Sequence, residues 1–394
     1  MKRRQFIGTL AAGTGGLVTV LAQERASTEK PLLVSTPMVL MAPRMDGIEA
    51  VWAVSRLSRG LVEWEAEDGA KGLVGADAFG FVPQGDRILR VRLSGLKPGT
   101  ACRVRAHTIA ADDKETVVSA WKTFRPLNPG AVETRFVMWN DTHIHDASIR
   151  ALHEVTPTAD FLLWNGDTCN DWTQDELLVP TLLHPGQCDI TEQRPLFITW
   201  GNHDVRGAHA FKMPGLVATP DGRPFYAFRS GPVAVICLHT GEDKPDDHPT
   251  FQGRVAFDAL RAEQTRWLAE TIRRPELRSA PYRVVACHIP LRWKDERAQD
   301  YSNQGFDRHS GRSRAAWHSL LVEWNTQVIL SGHTHQPTWL PPTDEFPYGQ
   351  LIGGGPQLPH ATWTEGVADA RQFRLKVRNL EGKTLHDVTF TPLT

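Results

Sequence analysis

Apolar positions recur along this chain in two rhythms. From about Pro31 to Phe124 they come in short alternating runs: Glu49–Val54, Gly60–Glu65, Arg87–Leu93, Ala101–Ala110 and Thr116–Phe124. Turn residues separate the runs. A period of two marks strands with one face on a core and one in water, so this stretch predicts a small all-β sandwich. Trp52 and Trp64 are its expected core anchors, since large rings bury the most apolar area. Pro126–Gly130 punctuates the chain and reads as a linker. Beyond it, unbroken apolar runs alternate with helical stretches. Strands are expected at Arg135–Asn140, Phe161–Asn165, Pro195–Trp200, Phe225–Arg229, Val233–Leu238, Arg283–Cys287 and Gln327–Ser331. Helices are expected near Ile149–Val155, Gln174–Leu183, Phe257–Arg273 and Arg314–Trp324. In the third helix Leu260, Thr265, Leu268 and Ile272 roughly share one face. Such alternation predicts an α/β domain, ending in β-strands from Tyr348 onward with Leu380–Lys383 as a hairpin turn.

Composition changes this picture little. The 394 residues are 41% hydrophobic and 23% charged, with a net charge of -1. That is globular composition with room for two domains, and no excess of basic charge points to nucleic acid. The first residues differ from the rest. Met1-Lys2-Arg3-Arg4-Gln5-Phe6-Ile7 opens a modestly apolar stretch reaching Ala22. It resembles a twin-arginine export signal, which implies a periplasmic or extracellular protein of a bacterium. A non-cleaved anchor is the other reading. The organisation expected is therefore a signal over 1–26, a sandwich over 30–125 and the α/β domain over 131–394. Five cysteines leave at least one free thiol. Cys169 and Cys188 are close enough in sequence to pair in an oxidising compartment, whereas Cys237 and Cys287 sit in apolar runs as buried hydrophobes.

The chemistry lies at the strand ends. Apolar runs lead into Asp141-Thr142-His143, Gly166-Asp167, Gly201-Asn202-His203-Asp204, Cys287-His288 and Gly332-His333-Thr334-His335. In an α/β domain the strand ends converge on one rim, where ligand sites form. Singly, each motif has an ordinary structural explanation, such as a turn, a helix cap or a core histidine. Together they supply Asp, His, Asp, Asn, His, His and His, donors suited to Mn, Zn or Fe. A shared carboxylate could hold two cations about 3.5–4 Å apart, and such pairs activate water against phosphate esters.

The motif set resembles the calcineurin-like metallophosphoesterase superfamily from about Arg135 to the C-terminus. The resemblance implies two packed mixed sheets flanked by helices and a dinuclear metal centre. It implies that Asp141, His143 and His335 hold one metal, that Asn202, His288 and His333 hold the other, and that Asp167 bridges them. It makes His203 the acid for the leaving group, Asp204 its orienter, and a metal-bridging hydroxide the attacking group. Leu93–Thr100 resembles the corner of a fibronectin type III-like module, although Cys102 stands where such modules usually carry a tyrosine. A sandwich ahead of the catalytic domain is similar to purple acid phosphatases. Those carry a metal-binding tyrosine three residues after the bridging aspartate and lack a histidine two residues after the first one. Here those positions are Asn170 and His143, so a colourless centre is expected.

The expected activity is hydrolysis of phosphomonoesters or phosphodiesters, including nucleotide or lipid esters. The rival reading is a non-catalytic, metal-containing surface module that binds a partner or glycan. Arg206 follows the Asn202–Asp204 motif and is a candidate phosphate contact, with a surface arginine as the alternative. His145, Asp246, Asp247 and His248 could line the rim, and Arg308–Arg312 could form a lid.

Overall fold

A computed structural model describes residues 30–75, 79–241, 243–293 and 306–394, and the side chains of all of these except 306–310. The twin-arginine-like segment lies outside what is described; the Arg308–Arg312 stretch lies in a helix, Phe306–Glu323, and its Arg312 bonds Asp258. Leu32–Thr394 forms one compact unit.

The runs with period two become strands with one dry face. Cys102–Ala110 alternates buried and exposed positions and pairs with Ser58–Ala66. Above that sheet lie Val39–Arg44, Gly47–Ala53 and Ile88–Leu93. Their inner side chains, Leu40, Trp52 and Leu89 among them, enclose a core with Val62, Val104 and Phe124. Trp52 is fully buried and its indole donates to Thr108 Oγ1 at 2.9 Å. Trp64 is only partly buried against the same core.

The unbroken apolar runs become strands covered on both faces, as parallel sheets require. Val233–Leu238 and Tyr282–Cys287 are buried at every position. Two mixed sheets result. One contains the parallel strands Thr134–Trp139, Phe161–Asn165 and Leu196–Thr199. The other carries Val233–Leu238, Tyr282–Cys287, Val328–Ser331 and Gly349–Ile352, also mutually parallel. They meet through Phe136, Phe161 and Phe197 on one side and Phe228, Val235 and Val284 on the other. Helices Phe257–Thr271 and Phe306–Glu323 flank the second sheet. This is the expected α/β fold of two packed mixed sheets, preceded by a strand-rich sandwich.

Three local outcomes differ from the sequence reading. Val39–Arg44, an unforeseen strand, pairs in parallel with Leu196–Thr199 at Met41 and Leu196, so the upper sandwich sheet extends the catalytic sheet. At Pro126–Gly130, Leu127 is buried and its N–H donates to Arg44 O. The helix Phe257–Thr271 buries Arg261, Gln264 and Thr271 as well as Leu268. Two of those polar side chains are tied: Gln264 Nε2 donates to His239 O at 2.9 Å, and Arg261 Nη1 pairs with Asp258 at 2.6 Å. The buried face is therefore set by hydrogen bonding as much as by apolar spacing.

Candidate metal centre

Each motif begins where a strand stops, and the backbone there is bent into an uncommon conformation. Asp141, His143, Asp167, His333 and His335 all have positive φ, between 46° and 71°. Non-glycine residues pay for this conformation, and it concentrates at functional sites. Close approach does the rest. A Cβ on Gly201 would stand 2.2 Å from Asp167 Oδ1, and one on Gly332 would stand 2.2 Å from Asp141 Oδ2. Only glycine lets these loops press on the two carboxylates.

Asp141 and Asp167 are fully buried at the centre. His288 Nε2 lies 3.1 Å from Asp167 Oδ2 and 3.6 Å from Asp141 Oδ1. His143 Nε2 lies 3.5 Å from Asp167 Oδ2, and His335 Nε2 lies 3.3 Å from Asp141 Oδ1. His333 Nδ1 is 2.8 Å from Asn202 Oδ1. Donor atoms converge in three overlapping groups: Asp141, His143 and His335; His143, Asp167 and His203; Asp167, His288 and His333. Asp167 thus belongs to two of them.

The donors are oriented from behind. His288 Nδ1 lies 2.9 Å from Asn165 O and donates to it, which turns Nε2 toward Asp167. Asn140 Nδ2 donates to Asp141 Oδ2 at 2.6 Å, and His333 N donates to the same oxygen at 2.8 Å. The Nε2 atoms of His143 and His288 are buried and make no hydrogen bond. Buried nitrogens of that kind normally have a partner, and a cation fits them. Electrostatics agree. Burial opposes the charged forms of Asp141 and Asp167, but the neighbouring His288 charge overcomes this and keeps both carboxyls below their usual range. Burial lowers the His143 imidazole and pushes His333 down to about 4, so both rings offer lone pairs at neutral pH.

His203 stands beside this cluster, its ring 4.7 Å from that of His143. Its Nδ1 is 2.8 Å from Asp171 Oδ1. Burial disfavours its charged form, yet the Asp171 hydrogen bond and the Asp167 charge raise its pKa overall. Asp204, expected to orient His203, makes its bonds elsewhere. Its carboxylate accepts from the backbone N–H groups of Asp167 (2.9 Å), Thr168 (3.0 Å) and Gly201 (2.8 Å), and from Thr168 Oγ1 (2.5 Å). It clasps the two loops that carry Asp167 and Asn202, while Asp171 holds the ring. Sequence spacing gave no sign of Asp171, whose backbone takes a φ of 131°.

Arg206 is buried, with Nη2 on Asp243 Oδ1 at 2.6 Å and Nη1 3.4 Å from His203 Nε2. It faces His203 and is not a free surface arginine. Asp246 instead caps the helix Phe257–Thr271 through the N–H groups of Phe257 and Asp258. His248 bonds Thr250. Cys169 and Cys188 are not paired, and all five cysteines are free thiols.

The calcineurin-like phosphoesterase family model matches residues 134–337, a span that contains every one of these donors. The chain belongs to the calcineurin-like phosphoesterase family. It is accordingly a metal-dependent phosphoric ester hydrolase. Comparison with curated proteins finds no match. Among solved structures, the purple acid phosphatase PPD1 from yellow lupin (Lupinus luteus) seeds aligns with TM-score 0.68 and 13% identity, over 91% of this chain and 74% of that one. PhoD aligns with TM-score 0.58 and 13% identity, over 92% of this chain and 90% of that one. At such identity these likenesses concern the fold of the phosphoesterase, sandwich included. Among the described residues no helix is long and apolar enough to cross a membrane.

Proposed function

We propose that this calcineurin-like phosphoesterase is an exported, dinuclear enzyme acting on phosphomonoesters or phosphodiesters. One observation carries the reading. Two buried carboxylates and five imidazoles meet within a few ångströms, and two of the buried ring nitrogens face the carboxylates without a hydrogen bond. In this reading Asp141, His143 and His335 hold one ion. Asn202, His288 and His333 hold the other, and Asp167 serves both. When bound, the ions supply Lewis acidity toward the phosphoryl oxygens and the attacking water.

The chain supplies the rest. His203, protonated and held at Nδ1 by Asp171, presents Nε2 to the leaving oxygen and gives it a proton, as a general acid does. Arg206 lies 3.4 Å from that Nε2, fixed by Asp243, where its guanidinium can meet a phosphate oxygen. The loops around Gly201 and Gly332 hold the carboxylates at van der Waals limits, which keeps the donor set in place before substrate arrives. The twin-arginine-like residues 1–26 support export to the periplasm or beyond. Asn170 at the tyrosine position and His143 beside the first aspartate support a colourless centre.

The test is hydrolysis of aryl monoesters and diesters by the wild type, Asp167→Asn and His203→Ala. Both variants should lose at least about a hundredfold in kcat/KM. Full activity in both would overturn the mechanism, and no activity in the metal-loaded wild type would favour the binding-module reading.

A further inference from the structure

Residues on both flanks of the loop bearing Asn202 and His203, Trp200 and Val205, help to line an open cavity of about 480 Å³, a size typical of small-molecule sites. Trp200, Val205, Phe211, Val217, Phe257 and Leu260 make its wall largely apolar. Trp200 and Val205 flank the metal-centre loop directly. At most three residue steps, about 11 Å of chain, separate either from Asn202. The cavity and the donor cluster are therefore neighbours through one short loop. Phe251 is fully buried beneath the cavity, whereas Phe211, on the wall, is 74% exposed. With the cavity wall the exposed ring extends an apolar patch, the kind of surface that marks ligand-binding grooves.

The charged side chains on the wall are all arginines. His239 accepts the Gly241 N–H at Nδ1 and stays neutral. Arg90, Arg223 and Arg254 complete the lining, and no Asp or Glu belongs to it among the described residues. Arg90 is neutralised by Glu49 and Arg223 faces Glu263 at 3.7 Å. Arg254 hydrogen-bonds Gln252 Oε1 and Thr250 O, both neutral. The cavity thus pairs apolar volume with positive charge.

We propose that this cavity is the subsite for the organic part of the ester. It takes a bulky apolar group, alkyl or aromatic, attached to the anionic phosphate held at the metal centre. The inference rests on the phosphoesterase reading above and adds the substrate class to it. Apolar contact remote from the reacting phosphorus stabilises the transition state without touching the chemistry.

A series of methyl, butyl, octyl and naphthylethyl phosphates, all alkyl esters with leaving alcohols of similar acidity, tests this on the metal-loaded full chain. Each methylene that enters the cavity should raise kcat/KM about fourfold. Comparing octyl with naphthylethyl separates a chain-shaped from a ring-shaped subsite. Ala208→Trp places a large ring at an exposed lining position. It should flatten the series and leave methyl phosphate unchanged. Phe211→Ala, at a surface position, should lower the octyl or naphthylethyl rate about tenfold and keeps the test alive if the first variant misfolds. A flat series in an active wild type would overturn the subsite and leave the phosphoesterase intact. Binding of anilinonaphthalene sulfonate to inactive protein gives an independent reading. Fluorescence enhancement in the wild type that Ala208→Trp removes supports the subsite even if no ester is cleaved, and its absence in the wild type overturns it.

Discussion

Replacing Asp204 by alanine should damage the scaffold of the metal centre more than the chemistry of its acid. The carboxylate is fully buried and accepts three hydrogen bonds from backbone N–H groups, one from the Thr168 hydroxyl and a longer one from the Cys169 thiol. Each neighbour is a donor, so alanine orphans three buried backbone donors at once. One such loss costs about 1–3 kcal/mol. The losses add less than fully, because water can enter the space left behind, and about 3–6 kcal/mol is expected. That is a large share of the 5–15 kcal/mol typical of a whole domain, roughly. Asp204→Asn keeps one acceptor oxygen and turns an amide donor toward N–H groups, so about 2–4 kcal/mol is expected. The clasped loops carry Asp167 and Asn202, so metal affinity should fall with stability. The assay is urea unfolding followed by tryptophan fluorescence, at a fixed concentration of metal because bound ions add their own stability. Metal content and kcat are measured on the same samples. A variant that kept its stability within about 0.5 kcal/mol and its metal, yet lost kcat, would refute the clasp and restore Asp204 as the partner of His203.

Asp171→Ala should lower kcat on the order of 10–100-fold, with little change in KM, since it removes the group that orients and charges the acid. Because Asp171 raises the His203 pKa, its loss should also move the alkaline limb of the pH–rate profile to lower pH, and an unmoved limb would argue against the pairing. His239 gives a stability signature. Burial, aided by Arg261 and His288, pushes its pKa down from 6.5 to about 3, so it stays neutral when folded and takes a proton when unfolded. The unfolded state then binds the extra proton below 6.5, and stability falls by about 1.4 kcal/mol per pH unit as pH drops from there toward 3. His239→Gln should flatten this limb in urea unfolding at several pH values, whereas an unchanged slope would assign the acid sensitivity to other groups.

Much of the fold and the donor set was readable because the local signals agree. An unbroken apolar run followed by glycine and a metal-type side chain recurs at Asp167, Asn202 and His333, and each strand end proves to be a tight, crowded turn. What escaped depends on contacts without a sequence rhythm. Val39–Arg44 is a short run that starts two residues after Pro37 and contains Pro43, and only its pairing with its neighbours, Leu196–Thr199 among them, makes it a strand. Asp171 reaches His203 across 32 residues through an unusual backbone angle. Asp204 was misassigned because adjacency to His203 in sequence suggests contact, while the turn at Gly201 sends the carboxylate toward backbone N–H groups instead. The helix Phe257–Thr271 buries Gln264 and Arg261, a choice set by the neighbours they bond and invisible to apolar periodicity.

The central claim concerns two ions shared through Asp167. Its most direct measurement is metal content per chain, by plasma mass spectrometry on metal-replete protein, with the visible spectrum and ester hydrolysis recorded on the same sample. About two ions per chain, no intense visible band, and loss of at least one ion with activity in Asp167→Asn are the predicted results. One ion or none in active wild-type protein, or an intense tyrosinate-like band, would contradict the account.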